Sequence, residues 1–461
     1  MRELPGRGRS PVKRFLCTVV LVCFAGCNGQ TAAAPFGPER ARAVRYARVH
    51  GSKGKIDHVV IVVQENRSFD NYFYGFKGAD YARSGKMSNG STVQLHGIPL
   101  GGPAVVNSWH DGLYDWDNGR MDRFDQNLLG GAAPAGAYVY SYVYRRDIEP
   151  YWIMAQSYVL ADHMFPTMFG GSFTGHLELI ASTTDVAPGV ADSDTPSNTP
   201  WGCDAPPKTV TSIVDASRDE SWGGGPFPCF TQFQTLADTL DAKRVSWKYY
   251  APAVSSGNLG GQLWTEFDAI ENVRKGPDWT RNVVSPPSRV LSDAKSGKLP
   301  SVSWVIPDGV DSDHPGGPSL GPSWVAAIVN AIGTGPAWNS TAIVVLWDDW
   351  GGWYDHVPPP QLDFRGLGIR VPCIIVSPYA KAHTISHTQY EFGSVVRLIE
   401  EVFGLPALGP SGTGYTDRRA NSMLDAFDLH QAPLPFKPIP AKEPASFFLM
   451  QKPSGAPPDD D

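Results

Sequence analysis

Glu65 and Asn66 stand directly behind the apolar run 58–64. A β-branched run of this length predicts a buried parallel strand, and open α/β sheets bind their ligands just beyond the carboxyl ends of such strands. A carboxylate beside an amide suits a hard divalent cation, which prefers oxygen donors. A second interpretation is a polar turn in which Asn66 and Ser68 cap the next helix.

A second acidic pair, Asp348 and Asp349, closes the apolar run 341–347. Adjacent carboxylates at a buried strand end repel each other unless a cation or a proton neutralises them. A metal ion would do so, and Glu65 and Asn66 would supply further ligands. The alternative is one helix-capping aspartate beside a salt-bridged one.

Ser172 lies in the Gly-Gly-Ser turn of the segment 169–177, ahead of a helix expected to begin near Leu177. A hydroxyl at the positive end of a helix dipole, where a phosphate also binds well, is a candidate nucleophile, and a bound metal would lower its pKa. The simpler interpretation is that Ser172 or Thr174 caps the helix.

Two histidines, His110 and His314, lie in loops that are rich in polar and turn residues, where catalytic histidines are common. Each is also compatible with an ordinary hydrogen-bonded loop residue. The sequence lacks HExxH, CxxC, Walker A and GxGxxG patterns, and the turn Gly170-Gly171-Ser172 lacks the GxSxG spacing of the α/β-hydrolases. Zincins, redox thiols, P-loop enzymes, nicotinamide enzymes and α/β-hydrolases are therefore disfavoured.

The elements that would position these residues alternate between strands and helices along the chain. Core strands are expected at 59–63, 301–306, 342–347 and 369–377, and helices at 151–160, 177–182, 233–242, 324–332 and 394–403. This alternation predicts an α/β fold, a three-layer αβα sandwich around a mostly parallel sheet.

The N-terminal region, 1–34, has the pattern of a secretory signal peptide. Basic residues precede an apolar stretch at 15–25 that is too short to span a bilayer, and Cys27 then ends a segment resembling a lipoprotein box. Lipidation at Cys27 and cleavage near 32–34 both remain open, and either exports the protein to the periplasm, the outer surface or the medium. A formal charge of -7 and no basic stripe beyond the N-terminus argue against nucleic acid as a partner.

Loop-rich composition marks the segment 185–230 as an insertion, and Cys203 and Cys229 fall inside it. In an oxidising compartment these two cysteines are the natural disulfide pair, whereas Cys373 is predicted to be a buried residue of a strand. The segment 431–461 is a C-terminal extension whose proline-rich tail is predicted to be disordered.

Taken together, these motifs resemble the phosphoesterase family that contains bacterial phospholipases C and acid phosphatases. The resemblance rests on the segment 64–70, on Gly-Gly-Ser172, on Asp313-His314-Pro315 and on Asp348-Asp349 with its following Gly-Gly-Trp-Tyr-Asp-His356. It implies a catalytic domain over 55–430 with an alkaline phosphatase-like fold.

The resemblance also implies roles for individual residues. It makes Ser172 the nucleophile and one of the ligands of a single divalent metal ion, and it makes His110 and His314 catalytic residues that contact the phosphoryl group or the leaving oxygen. His176 is assigned with these two histidines to substrate binding. The remaining metal ligands would be Glu65, Asn66, Asp348 and Asp349.

The implied activity is metal-dependent hydrolysis of phosphate esters through a phosphoserine intermediate. Phospholipase C members of the family typically have Thr at the nucleophile position, followed by Pro-Asn-Arg, whereas this chain has Ser172-Phe-Thr-Gly-His176. This difference favours an acid phosphatase-like phosphomonoesterase, with a phospholipase C that acts on phospholipids as the alternative. A surface lipoprotein that binds a divalent ion or phosphate without catalysis is a third interpretation.

Overall fold

The computed structural model describes residues 54–255, 259–317 and 319–453. Among these residues, nine strands form one central sheet. In chain order they are β1 (His58–Gln64), β2 (Val159–Phe165), β3 (Trp247–Tyr250), β4 (Val283–Val284), β5 (Val302–Val305), β6 (Thr341–Trp347), β7 (Val371–Val376), β8 (Thr384–Ser386) and β9 (Tyr390–Glu391).

The sheet is mostly parallel. Its spatial order is β4-β3-β5-β1-β6-β7-β2-β8, and β9 also pairs with β2. Only β7 is antiparallel to its neighbours, β6 and β2, among the described strands. Because β7 is antiparallel to both of these strands, β2 runs in the same direction as β6. The carboxyl ends of four strands, β1, β2, β5 and β6, therefore lie at one edge of the sheet.

The central strands form because their residues are apolar on both faces. All seven residues of β6 are buried, as are all six of β7 and all but the first of β1. Side chains of a strand alternate between the faces of the sheet, so complete burial requires a layer of helices on each face. This confirms the expected α/β architecture and the four predicted core strands.

Twelve α-helices occur in the described part of the chain. They are α1 (Phe69–Phe73), α2 (Trp109–Trp116), α3 (Glu149–Ser157), α4 (Ser172–Ala181), α5 (Leu236–Lys243), α6 (Leu259–Trp264), α7 (Glu271–Arg274), α8 (Asp278–Arg281), α9 (Arg289–Lys295), α10 (Gly321–Gly333), α11 (Phe392–Phe403) and α12 (Ala445–Met450). Eight of them form two packed groups: α10 contacts α3, α9 and α12, and α4 contacts α5, α6 and α11.

Two predicted helix boundaries beside the site residues are wrong. The helix expected over 151–160 ends at Ser157, and β2, which was not predicted, begins two residues later at Val159. The helix expected to begin near Leu177 begins at Ser172. Two glycines and one threonine at 171–175 lower helix propensity, but α4 is buried over its whole length, so packing decides its start.

The insertion 185–230 contains more regular structure than its composition indicates. In the described part of the chain, ten short strands lie outside the central sheet: Ser84–Lys86, Thr92–Gln94, His96–Ile98, Leu128–Leu129, Ala133–Pro134, Ser141–Val143, Asp185–Ala187, Val190–Asp192, Ile213–Asp215 and Glu220–Ser221. The last four form a small antiparallel sheet within the insertion. The predicted disulfide between Cys203 and Cys229 is present, and Cys373 is a buried free cysteine of β7.

The segment 431–453 packs against α10. Phe448 of α12 contacts Trp324, with ring centroids 5.2 Å apart, and the Asn330 side chain exchanges hydrogen bonds with the backbone of Ile439. The predicted signal region and the predicted disordered residues after 453 lie outside the described residues, and the domain limits stay a prediction. Among the described helices, none is both long and apolar enough to cross a bilayer.

Candidate active site

The ends of β1 and β6 bring the two acidic segments together. Gln64 pairs with Trp347 in the parallel register, so the residues that follow each strand leave the sheet side by side. The Asn66 backbone N–H donates to Asp348 Oδ1 at 3.0 Å, and the Arg67 N–H donates to the Asp349 carbonyl at 3.0 Å. The structure thus places the four predicted ligands in one cluster.

Three carboxylates of this cluster are completely buried. Desolvation raises the pKa of Glu65 to about 8, against a hydrogen bond with Asp348 that lowers it. Burial and, next, the charge of a neighbouring carboxylate raise the pKa values of Asp348 and Asp349 well above their ordinary range. Burying several carboxylates together is costly unless a cation compensates their charge.

Several buried oxygen atoms of the cluster lack a hydrogen-bond partner among the described residues. Among the described residues, Glu65 Oε2, Asn66 Oδ1 and Asp348 Oδ2 are buried and accept no hydrogen bond. Buried polar atoms are otherwise satisfied in nearly every folded protein. Three such oxygens on neighbouring loops fit the donor set of a hard divalent cation, so the residues present are suited to hold the expected metal ion.

His176 lies within this cluster, which differs from its predicted place among the substrate-binding residues. Its Nε2 is 3.1 Å from Glu65 Oε1 and 3.7 Å from Asp348 Oδ2, and the residue is 2% exposed. Burial lowers the pKa of His176 to about 4, so the imidazole is neutral and able to coordinate a metal ion. His176 thus lies beside two of the predicted metal ligands, and its role in substrate binding stays a prediction.

Ser172 is the first residue of α4 and is not its cap. The N-cap is Gly171, which makes no side-chain hydrogen bond, and Thr174 donates its hydroxyl to the Gly171 carbonyl at 3.1 Å. The Ser172 Oγ donates instead to Asp349 Oδ2 at 3.3 Å. The capping interpretation is therefore wrong, and the hydroxyl faces the acidic cluster.

A cavity of about 350 Å³ opens onto Ser172. His110 and His314 both line it, so the structure brings the three predicted catalytic residues to one pocket. His110 is the exposed second residue of α2. His314 is buried, and its Nδ1 must donate to the Pro315 carbonyl at 2.7 Å, because a carbonyl only accepts. Any proton that His314 exchanges with a substrate would therefore move at Nε2.

Three tryptophans form much of the wall of this cavity, and none of them was predicted. They are Trp201, Trp222 and Trp264. Trp264 lies beside His314 with ring centroids 6.1 Å apart, and Trp222 is 66% exposed. Two of the three come from the insertion 185–230, whose Trp and Gly content showed loops but not where those loops would pack.

Asn107 is a second residue that sequence reasoning missed. Its Nδ2 donates to Asp349 Oδ1 at 2.6 Å, and the Gly351 backbone N–H donates to the same oxygen at 2.6 Å. Together they fix the carboxylate that faces Ser172. Asn107 lies three residues before His110 in an irregular segment, and no pattern in the sequence links it to Asp349.

Arg67 connects the β1 loop to the loop that carries His314. Its guanidinium donates to the carbonyls of Leu100 and Asp313, and it is completely buried. The Asp313 carboxylate accepts from the Tyr151 hydroxyl at 2.8 Å and from the Trp347 indole at 3.1 Å. Arg67 thus braces the site and lies outside the cavity wall.

Comparison with known proteins identifies the family. The model of the Phosphoesterase family matches residues 56–406. The chain belongs to this family. Phospholipase C B of Mycobacterium tuberculosis is 26% identical over 481 residues, which cover 90% of this chain and 86% of that protein. This phosphoesterase is accordingly a hydrolase that acts on phosphoric esters.

Two further proteins are similar to this phosphoesterase. The non-hemolytic phospholipase C of Pseudomonas aeruginosa is 26% identical over 454 residues, which cover 84% of this chain and 60% of that protein. Among solved structures, a protein in the alkaline phosphatase superfamily from Vibrio parahaemolyticus aligns with 76% of this chain and 67% of its own, at 9% identity and a TM-score of 0.35.

Proposed function

We propose that this phosphoesterase depends on one divalent metal ion and uses Ser172 as its nucleophile. The observation that carries the proposal is the serine hydroxyl 3.3 Å from Asp349 Oδ2, beside three buried oxygens that accept no hydrogen bond. The ion would be held by Ser172 together with four further residues, Glu65, Asn66, Asp348 and Asp349. When bound, the ion would stabilise negative charge on the serine oxygen and on the phosphoryl group.

The residues of the chain then have distinct tasks. The Ser172 Oγ forms a bond to phosphorus while the bond to the leaving oxygen breaks. The backbone N–H groups at the start of α4 stabilise the phosphoryl oxygens, because the first turn of a helix leaves its N–H groups without intrahelical partners. Water later cleaves the phosphoserine and regenerates the hydroxyl.

The leaving oxygen needs a proton, and two histidines of the cavity can supply it. His314 would donate from Nε2, since its Nδ1–H is held by the Pro315 carbonyl. His110 is exposed on α2 and is the alternative donor. General acid catalysis of this kind contributes roughly 10²–10⁴-fold to a rate.

The cavity favours a phospholipid over a small phosphomonoester as the substrate. A monoester offers one phosphoryl group, which the polar floor around Ser172 accommodates, whereas three tryptophans and about 350 Å³ of space fit a larger organic group. The relatives with the name phospholipase C support the same choice. The Ser in place of Thr at position 172 supports the phosphomonoesterase as the second candidate.

A substrate panel separates the two candidates. We expect the metal-loaded protein to release diacylglycerol from phosphatidylcholine vesicles and to hydrolyse p-nitrophenyl phosphate at least tenfold less efficiently. The reverse preference would establish the phosphomonoesterase. Chelation should abolish both activities and readdition of a divalent ion should restore them, whereas full activity after verified removal of metal would overturn metal dependence.

Export is part of the proposal. The disulfide between Cys203 and Cys229 supports it, because such bonds persist in oxidising compartments outside the cytoplasm. The N-terminal pattern around Cys27 supports it from the sequence. A non-catalytic binding protein is disfavoured, because the nucleophile and every expected metal ligand are present in this chain.

A further inference from the structure

Two histidines and an aspartate form a second cluster at the far edge of the central sheet. Asp162 and His163 are neighbours on β2, and His387 lies in the connection between β8 and β9, both of which pair with β2. One donor atom from each of the three residues lies within 4.8 Å of the others. None of them lines the catalytic cavity.

Asp162 is the centre of this cluster. The residue is completely buried, and its Oδ1 is 2.8 Å from His163 Nδ1 while its Oδ2 is 2.9 Å from His387 Nδ1. The Asp80 backbone N–H also donates to Oδ2 at 2.9 Å. The imidazoles of His163 and His387 therefore both contact the buried Asp162 carboxylate through Nδ1.

The opposite nitrogen of His163 faces another carboxylate. Its Nε2 is 3.5 Å from Asp80 Oδ2. A neutral imidazole carries one N–H, so it can donate to Asp80 or to Asp162 but not to both. Metal-bound histidines characteristically donate their other N–H to a carboxylate, which leaves the remaining nitrogen to the metal. In His163, an N–H on Nε2 that is directed at Asp80 would leave Nδ1, which faces Asp162, as the nitrogen that binds the metal.

The distances and the exposure of the cluster agree with a metal site. Zn–nitrogen and Zn–oxygen bonds of about 2.1 Å in tetrahedral geometry place two donors about 3.4 Å apart, and the three donor atoms of the cluster all lie within 4.8 Å of one another. The His387 side chain is 60% exposed and the His163 side chain 24%, so solvent can supply further ligands. Two imidazoles with one carboxylate suit Zn²⁺ and similar transition metals better than Mg²⁺ or Ca²⁺.

We propose that Asp162, His163 and His387 bind a transition-metal ion of the Zn²⁺ class at a site distinct from the acidic cluster at Ser172. The ion would tie the connection between β8 and β9 to β2. Asp80 would orient His163 without touching the ion. The proposal is independent of the proposed function, since the two sites share no residue.

Calorimetric titration of the full-length protein with ZnCl₂ tests this site, in an Asp348→Asn background that disables the acidic cluster. We expect one Zn²⁺ per chain, at least tenfold weaker binding when His387→Gln is added, and unchanged binding when His383→Gln is added. His383 is the matched control, an exposed histidine four residues away whose Nδ1 contacts a backbone carbonyl. Equal binding by all three proteins would overturn the proposal.

A crystallographic measurement on the unmodified protein covers the case in which the Asp348→Asn protein does not fold. Crystals grown with ZnCl₂ should give an anomalous peak at the zinc edge within bonding distance of Asp162, His163 and His387. No peak there at saturating Zn²⁺ would show that these residues only form imidazolium–carboxylate pairs. A peak at the acidic cluster, or its absence, bears on the proposed function alone.

Discussion

At the scale of single residues, three carboxylates of the site repel one another, because burial removes the water that would screen their charges. They belong to Glu65, Asp348 and Asp349. Desolvation raises the pKa of all three, and several oxygens of the cluster accept no hydrogen bond. His176 adds a neutral imidazole to the same cluster. The geometry of the site therefore depends on a few buried groups and on the residues that orient them.

Asn107→Ala tests this orienting role. The variant removes the 2.6 Å hydrogen bond to Asp349 Oδ1, and a hydrogen bond to a charged group contributes about 1.5–3 kcal/mol. We expect kcat/KM for ester hydrolysis to fall about 10–100-fold. Steady-state kinetics measure the change, and circular dichroism checks that the fold is retained.

Asn127→Ala is the matched control for Asn107→Ala. Asn127 is equally buried and donates to Asp115 Oδ2 at 2.7 Å, but neither residue lines the cavity. We expect this variant to lose stability in urea unfolding while its kcat/KM stays within about twofold. An Asn107→Ala protein with the kinetics of Asn127→Ala would show that Asn107 plays only a structural part.

The sequence predicts the acidic cluster at the sheet edge better than it predicts the residues that support this cluster. The members of this cluster were predictable because they follow two apolar strands in pairs, Glu65-Asn66 and Asp348-Asp349. Parallel strands end at the same edge of a sheet, so the two pairs were expected to meet. Asn107 reaches the site from an irregular loop, and its partner is 242 residues away in sequence. No local pattern encodes such a contact.

At the scale of secondary structure, α4 positions both Ser172 and His176. It follows β2, whose carboxyl end lies at the same edge as those of β1 and β6. The sequence did not predict β2, because α3 ends at Ser157 and leaves only Tyr158 before the strand, and because Asp162 and His163 interrupt the apolar pattern. The true start of α4 was missed for a related reason, since its first residues are poor helix formers held by packing.

Gly175→Ala tests the close packing of α4 against the end of β6. A Cβ at this position would lie 2.6 Å from the Asp348 carbonyl oxygen, so the helix or the acidic loop would have to shift. Overpacking of this kind costs about 1–3 kcal/mol. We expect lower stability in urea and a loss of turnover of at least tenfold, since Ser172 and His176 move with the helix.

Gly171→Ala is the control on the same segment. A Cβ there meets no atom closer than 3.7 Å, and the backbone is extended with φ -90°. The free energy of unfolding should therefore change by less than about 0.5 kcal/mol. If Gly175→Ala is as stable as Gly171→Ala and equally active, the close contact of α4 with Asp348 does not constrain the site.

At the scale of the whole molecule, the loop after β6 is joined to α1 through His356. Burial opposes the charged form of His356, but its hydrogen bond to Asp70 at 2.7 Å and the charge of Asp70 outweigh burial and raise its pKa to about 9. Arg370 pairs with the carboxylates of Asp70 and Asp355 in the same region. These charges connect segments that are hundreds of residues apart in sequence.

His356→Asn should make stability depend on pH in a defined direction. The pKa is higher in the folded state, about 9, than in the unfolded chain, about 6.5, so the stabilisation is complete below pH 6.5 and lost as pH rises through 9. We expect the wild type to exceed the variant by on the order of 2–3 kcal/mol at pH 6. Urea unfolding at pH 6 and pH 10 measures both, and a difference that is the same at the two pH values would contradict the account.

The covalent intermediate on Ser172 tests the central claim most directly. The protein is mixed with phosphatidylcholine vesicles or p-nitrophenyl phosphate, quenched in acid during turnover, digested and analysed by mass spectrometry. We predict that the peptide containing Ser172 carries the phosphoryl group with its head group from the lipid, or the phosphoryl group alone from the monoester. Ser172→Ala should show neither adduct nor turnover. An active enzyme whose Ser172 stays unmodified, or an adduct on Thr174, would contradict the account.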